Sequence, residues 1–340
     1  MLIRPGALGD AIVSLPLVAA LNGVVSDGVD ILGRPASWRF LPPGPLSPRV
    51  HDINALGWLG LFAERPLAAE AAAVLAWADR VVAVVGAGSP LLDGLARAGG
   101  ADVLRIDPPR LEDRARSADD LAAARLLRPW LQCAPAQSPE PIEALISAWL
   151  TPSATELAAA ERDLDRALPD RPRLALHPGS GSPAKCWQGE RFGRTIRCFV
   201  EAGGGGVLLL AGPADEEALV RLRAALPGEV RWLASVDEAP RRVAALASRC
   251  DVFLGNDSGL AHLVAPHVPA VVLFGPTDPG VWRPRGPEVR VLRAPDGHMA
   301  SLAVEPVVAA LSAAMSASLA QSRPRSPSEA SFAPVTSRKP

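Results

Sequence analysis

Several short loops in this sequence carry residues able to bind an anionic group and to move a proton. The first, Arg4-Pro5-Gly6-Ala7-Leu8-Gly9-Asp10, leaves an apolar opening run and enters a helical segment. Gly6 and Gly9 allow unusual torsions and close approach to a ligand, and the helix N-terminus that follows favours anions. Asp10 stands where a carboxylate can take a proton from an incoming hydroxyl. From this segment alone the plainer reading, an N-cap, is preferred. The glycine spacing is not GxGxxG and no acidic residue clearly ends the second strand, which disfavours a nicotinamide dehydrogenase.

The second loop is His177-Pro178-Gly179-Ser180-Gly181-Ser182-Pro183-Ala184-Lys185-Cys186-Trp187. Its small residues expose backbone N–H groups and hydroxyls, that of Ser180 among them, and a lysine neutralises phosphate as a compact charge. Lys185 is one of two lysines in a chain with 35 Lys and Arg together. A lysine here departs from the chain's own habit, so a phosphate contact is the favoured reading. The third loop, Gly255-Asn256-Asp257-Ser258-Gly259-Leu260-Ala261-His262, offers the N–H groups of Ser258 and Gly259 and the Ser258 hydroxyl to a pyrophosphate. Capping by Asn256 or Asp257 accounts for part of it, and a lone His262 reads most simply as a satisfied core histidine. Two more loops, Gly212-Pro213-Ala214-Asp215-Glu216 and Gly275-Pro276-Thr277-Asp278-Pro279, follow apolar runs in the same way; the first offers carboxylates to ribose hydroxyls. Each loop alone is ordinary, but loops at the carboxyl ends of successive strands converge on one crevice in an open α/β sheet.

The elements that must hold these loops are βα units. Strands are expected near Leu2 to Ile3, Val29 to Leu32, Arg80 to Val85 and Val103 to Ile106, then Leu174 to His177, Val207 to Ala211, Val252 to Gly255 and Ala270 to Phe274. Helices are expected over Ile12 to Leu21 and Val304 to Leu319. The prolines between Cys133 and Pro152 suggest an interdomain connection. The expected organisation is therefore an N-terminal domain over 1–150, a second over 151–320 and a disordered Ser/Pro/Arg tail over 321–340.

Composition narrows the function. With 340 residues, 49% hydrophobic, 21% charged and a net charge of -1, the chain suits a soluble protein of two domains with no field to draw nucleic acid. Its four cysteines stand apart without a CxxC pair, against a zinc site or a disulfide framework. The apolar run Ala11 to Leu21 reads as a buried helix rather than a leader, and no run reaches the length of a membrane span. Asp163-Leu164-Asp165 lies in a helical stretch and reads as a solvated face, not a metal site.

The loops Arg4 to Asp10, His177 to Trp187, Gly255 to His262 and Phe274 to Pro284 resemble the signature segments of glycosyltransferase family 9, which includes the ADP-heptose:lipopolysaccharide heptosyltransferases. The resemblance implies an α/β protein of GT-B architecture, two Rossmann-like domains facing across a cleft. It implies inverting, metal-independent transfer from a nucleotide-diphosphate sugar, with ADP-heptose favoured, to a saccharide or glycolipid acceptor of lipopolysaccharide-core type. No cofactor is expected. Asp10 matches the family's general base and Lys185 the lysine on the donor phosphates. Glu216 matches the ribose-binding carboxylate, and Asp257, Ser258, Gly259 and His262 the segment around the donor's sugar and pyrophosphate. A cytoplasmic location is expected, with peripheral contact at the inner face of the membrane if the acceptor is a lipid. Trp38, Trp58 and Trp77 are candidates for that contact, buried packing being as good an explanation. Residues 23–172 follow the family only in their α/β alternation. A non-catalytic nucleotide-sugar binding protein of the same architecture, or a member using another nucleotide sugar, would share the donor loops.

Overall fold

The computed structural model describes residues 1–24, 28–44, 47–117, 119–133 and 139–322. The strands among them are β1 (Leu2–Arg4), β2 (Asp30–Gly33), β3 (Arg49–Asp52), β4 (Arg80–Val84), β5 (Asp102–Ile106), β6 (Arg173–His177), β7 (Gly206–Ala211), β8 (Trp232–Val236), β9 (Val252–Asn256), β10 (Ala270–Phe274) and β11 (Val289–Arg293). They form two sheets, ordered β3-β2-β1-β4-β5 and β11-β10-β9-β6-β7-β8, with every pairing parallel. Parallel strands need crossovers, and the helices between them cover both faces of each sheet. Both orders are those of a doubly wound sheet, with the direction of winding reversing between β1 and β4 in the first and between β6 and β9 in the second.

Burial explains the order. Strands β6, β7, β9 and β10 are buried at every residue, so, apart from Arg173, His177 and Asn256 at strand ends, their sequences read as apolar runs leading to polar loops. Of the four edge strands, β3 (RVHD), β8 (WLASV) and β11 (VRVLR) are half-exposed, with polar residues among the apolar ones, and so is β5 (DVLRI), whose apolar end Val103 to Ile106 was expected. None of the first three stands out in the sequence. Charged and polar residues at a sheet edge discourage pairing with other chains, which is why edges lose the apolar signature.

Some expected elements are redrawn. Ile12 to Leu21 is not one helix but two, Leu8–Val13 and Leu15–Asn22, meeting at Ser14. Pro16, without an N–H and with a ring that clashes one turn back, forces the restart. The stretch from Cys133 to Pro152 holds helix Pro139–Leu150; residues 134–138, Pro135 among them, lie outside the described residues. Pro139 and Pro141 sit in the first turn, where N–H groups lack partners in any helix, so they punctuate without breaking it. The last helix runs Val304–Ser322, and the rest of the expected tail lies outside the described residues. Among the described residues no helix is long and apolar enough to cross a membrane. Trp38 and Trp58 are buried, while Trp77 is 85% exposed.

One apolar cluster runs from the first sheet to the second through Leu15, Leu17, Trp149, Leu263 and Val281. Arg241 fastens the same boundary. Its guanidinium donates to both carboxylate oxygens of Glu156, at 2.8 and 2.6 Å, and to the carbonyl oxygens of Phe40, Trp149 and Thr151. Glu156 meanwhile closes a capping box with Ser153 at the head of helix Ala154–Ala167. The Arg241 bond first, against the cost of burial, and then the Ser153 contacts lower the Glu156 carboxyl to about 2. Arg241→Ala is expected to cost about 2 kcal/mol, read as a lower melting temperature, because three carbonyls and a carboxylate lose their donor together. Glu156's folded value is depressed, so its share of stability is complete above the ordinary value of 4.5 and is lost as pH falls towards about 2. The melting difference between wild type and Arg241→Ala should therefore shrink over that window.

Candidate functional site between the two switch points

The first sheet's switch point lies between β1 and β4, and the loop leaving β1 is the one that ends in Asp10. Arg4, the last residue of β1, is buried with its guanidinium against the Asp10 carboxylate, Nη2 to Oδ1 2.7 Å, and its Nε donating to Ser14 Oγ at 3.0 Å. Burial disfavours the Arg4 charge and Asp10 offsets part of that penalty. The other Asp10 oxygen accepts the Ala7 N–H at 3.0 Å. Asp10 is thus not the N-cap of helix Leu8–Val13 but its third residue, reaching back to the cap's backbone N–H. Its side chain remains 37% exposed. Gly6 lies directly beneath it, since a Cβ there would fall 2.3 Å from Asp10 Cβ. Across the switch, Gly86 and Gly88 after β4 face open space.

The second switch point lies between β6 and β9, whose loops are His177 to Trp187 and Asp257 to Ser258. Asn256, fully buried at the end of β9, holds the first of these: its Nδ2 donates to the Pro178 and Gly179 carbonyls and its Oδ1 accepts the Trp187 N–H. Ser180 Oγ donates to the Asp257 carbonyl at 2.7 Å. Asp257 Oδ2 accepts from Thr277 Oγ1 at 2.7 Å and from Lys185 Nζ at 3.3 Å. Lys185 therefore lies over the β9 loop with 13% of its side chain exposed. Ser258 is the N-cap of helix Gly259–Val264, its Oγ accepting the Ala261 N–H at 3.2 Å.

Glycine brings the two switch points together. A Cβ on Gly259 would lie 2.7 Å from the Gly9 nitrogen, and one on Gly9 would lie 3.2 Å from the Gly259 Cα. Backbones meet here because neither residue has a side chain. The loop of Asp10 and the helix opened by Ser258 thus sit against each other, with His262 on that helix. Burial first, and then Lys185, push the His262 imidazole below the ordinary histidine range, against the opposite pull of Asp257 and Asp10. A second tie lies nearby, where Asp278 Oδ2 accepts the Ala115 N–H at 3.1 Å and Arg114 reaches the Pro276 carbonyl.

This architecture agrees with what is known of other chains. The model of glycosyltransferase family 9 (heptosyltransferase) matches residues 147–308. The chain is glycosyltransferase family 9-like. Among curated relatives, the lipooligosaccharide heptosyltransferase 2 of Haemophilus influenzae is 30% identical over 138 residues, 39% of this chain and 39% of its own. The matched sequence thus spans about two fifths of that relative's length. Solved structures of the family cover far more. A glycosyl transferase family 9 protein from Veillonella parvula superposes with a TM-score of 0.72 at 17% identity, covering 93% of this chain and 96% of its own. The Escherichia coli ADP-heptose lps heptosyltransferase II gives 0.66 at 22%, covering 93% and 98%. The fold is therefore the GT-B pair of Rossmann-like domains throughout.

Gly6, Gly9, Asp10, Ser180, Lys185, Asp257, Ser258, Gly259 and His262 all lie on the two loop systems that meet at Gly9 and Gly259. Glu216 stands apart as the exposed first residue of helix Glu216–Ala225. A cavity of about 320 Å³ opens between that helix and the His177 loop, lined by Ser180, Cys186, Asp215, Glu217 and Arg221. Asp215, one residue before Glu216, is buried and bonded to His177, Nε2 to Oδ2 2.9 Å. Burial alone would raise the Asp215 carboxyl; the His177 ring and the Gly212 N–H on the same oxygen hold it below the usual carboxylate range. The His177 ring also meets Ser258, Nδ1 to Oγ 3.1 Å. The roles of Arg4, Asp215 and His177 escaped the sequence reading. A polar residue ending a short apolar run was the available signal for Arg4 and His177.

Proposed function

We propose that the chain is a glycosyltransferase that moves a sugar from a nucleoside diphosphate to an acceptor hydroxyl on a glycan of the lipopolysaccharide-core type. The observation that carries this reading is the juxtaposition at Gly9 and Gly259. It puts a carboxylate exposed to an acceptor beside a loop system bearing the ammonium of Lys185, the hydroxyls of Ser180 and Ser258, and a helix start. One side supplies a base and the other stabilises a departing diphosphate, the two demands of displacement at an anomeric carbon.

In this reading residues 1–150 form the acceptor side and 151–320 the donor side. The acceptor enters over the open Gly86 to Ser89 loop. Its hydroxyl proton passes to Asp10 while its oxygen bonds to the anomeric carbon from the face opposite the leaving group, inverting that centre. The bond from the anomeric carbon to the phosphate oxygen breaks and its electrons leave with the nucleoside diphosphate, whose charge Lys185 meets. No metal is needed for that neutralisation. Glu216, between Asp215 and Glu217 of the 320 Å³ cavity though not itself in its lining, accepts ribose hydroxyls. ADP-heptose is the favoured donor, supported by the likeness to the Escherichia coli ADP-heptose lps heptosyltransferase II. A cytoplasmic location, with contact at the inner face of the membrane, follows from a lipid-linked acceptor and the exposed Trp77.

A calorimetric screen against ADP, UDP, GDP and NAD, with and without chelator, tests the reading. A preference for ADP that chelator leaves unchanged is the expected result. Preference for another diphosphate replaces the donor and keeps the reaction class, and binding of NAD alone overturns the proposal.

A further inference from the structure

The Ser258 hydroxyl has a conflict to resolve before it can serve an anion. Its oxygen already accepts the Ala261 N–H, and its remaining neighbour is His177 Nδ1 at 3.1 Å. On the other side of the ring, Nε2 faces a carboxylate oxygen that also accepts the Gly212 N–H. An ionised carboxylate only accepts, so Nε2 must carry a proton. A neutral His177 then has a bare Nδ1, and the Ser258 O–H is spent on it. Only when Nδ1 also carries a proton does the bond reverse, with His177 donating to Ser258 and the hydroxyl proton turned away from the ring.

We propose that His177 is a positioning residue that takes up one proton when the donor diphosphate binds, so that the Ser258 hydroxyl turns and donates to a phosphate oxygen. The inference rests on the nucleotide-sugar reading above. The proton comes from solvent, one N–H bond forms at Nδ1, and no other covalent bond changes. The ring is buried and cannot contact the ligand itself. It acts only through Ser258, linked to Asp215 across 38 residues of sequence and to Ser258 across 81.

The electrostatics favour this coupling. The titratable groups on the three loops around the ring are Asp215, Lys185, Cys186 and Asp257, with Glu216 and Glu217 on the helix after the middle loop, His262 on the helix that Ser258 caps and Asp10 on the loop packed against that helix. Lys185 and Asp257 pair with each other. Asp215 is therefore the near charge the imidazole meets directly, and an arriving diphosphate adds more of the same sign. Lys185, drawn to the phosphates, opposes the effect only in part, since it already stands beside the loop before binding. By linkage, an anion whose binding adds a proton to the ring must itself bind more tightly as pH falls.

The test is titration of the full chain with ADP at pH 8, where ADP and exposed imidazoles are largely deprotonated, in buffers of different ionisation enthalpy. The expected result is net proton uptake on ADP binding, lost in His177→Gln, which cannot be protonated, and reduced in Asp215→Asn. His262 is the other imidazole at the site, and uptake per ADP bound that is lost in His262→Gln but kept in His177→Gln overturns the inference. Heat independent of the buffer in the wild type, which needs no variant to fold, overturns the inference while leaving nucleotide binding intact. Uptake that persists in a folded His177→Gln protein also overturns it. No binding of any nucleoside diphosphate overturns the donor reading instead, and the relay with it.

Discussion

Asp10→Asn is expected to lower turnover by about 100- to 10,000-fold, the range over which a positioned general base acts, while nucleoside diphosphate affinity stays unchanged. The two effects separate because Asp10 sits on the loop of β1, whereas Lys185, Ser180 and Ser258 belong to the other sheet. The substitution is not silent structurally. Both Asp10 partners are donors, the Arg4 guanidinium and the Ala7 N–H, and asparagine has only one oxygen to offer them. Its amide must face one donor, at a cost of about 1 kcal/mol, which a thermal melt would show. A lost base predicts a collapse in the pre-steady-state transfer step far beyond that small loss of stability. Near-normal transfer by a folded Asp10→Asn protein would mean that the carboxylate only braces Arg4 and the loop, and that proton removal is done elsewhere.

The sequence made the interior of each sheet legible because buried parallel strands cannot hide. Runs such as Val-Leu-Leu-Leu-Ala in β7 and Ala-Val-Val-Leu-Phe in β10 have no polar face. Polar loops directly after such runs also pointed to the candidate site, since strand ends are where an α/β sheet keeps its ligands. The edge strands β3 and β11 escaped because Arg-Val-His-Asp and Val-Arg-Val-Leu-Arg must satisfy water on one side, whereas β5, also an edge, kept enough of an apolar run at Val103 to Ile106 to be expected. Ser14 escaped because a helix restart driven by Pro16 leaves the apolar periodicity intact. The largest losses were contacts between distant segments. Nothing near Gly9 signals that it will touch Gly259, and nothing near Arg241 signals carbonyls of Phe40 and Trp149. Those contacts depend on how two domains dock, which local spacing does not encode. His177 shows the same limit on a smaller scale: the residue was visible in its loop, but its partners Asp215 and Ser258 belong to two other strand ends.

Lys185→Ala should weaken ADP binding by about 10- to 100-fold, the equivalent of one charge-assisted hydrogen bond lost from a partly buried site. The geometry argues for the upper part of that range. Lys185 Nζ lies on Asp257 Oδ2, and with the ammonium gone that carboxylate faces the incoming diphosphate with only the Thr277 hydroxyl against it. The loss thus combines a missing attraction with an exposed repulsion, and Lys185→Ala with Asp257→Asn should recover part of the affinity by removing the second. Asp257→Asn alone separates two roles for the pair. If Asp257 holds Lys185 away from the ligand, the single substitution tightens ADP; if it aims the ammonium, affinity falls. Aiming is the expected outcome, because an ammonium has three donors and can keep Asp257 while giving another to a phosphate oxygen. Raising the salt concentration should erode the wild-type advantage over Lys185→Ala, as it does for any partly exposed ion pair. Unchanged ADP affinity in Lys185→Ala would remove the diphosphate from this loop, and with it the arrangement in which the leaving group departs towards the second sheet.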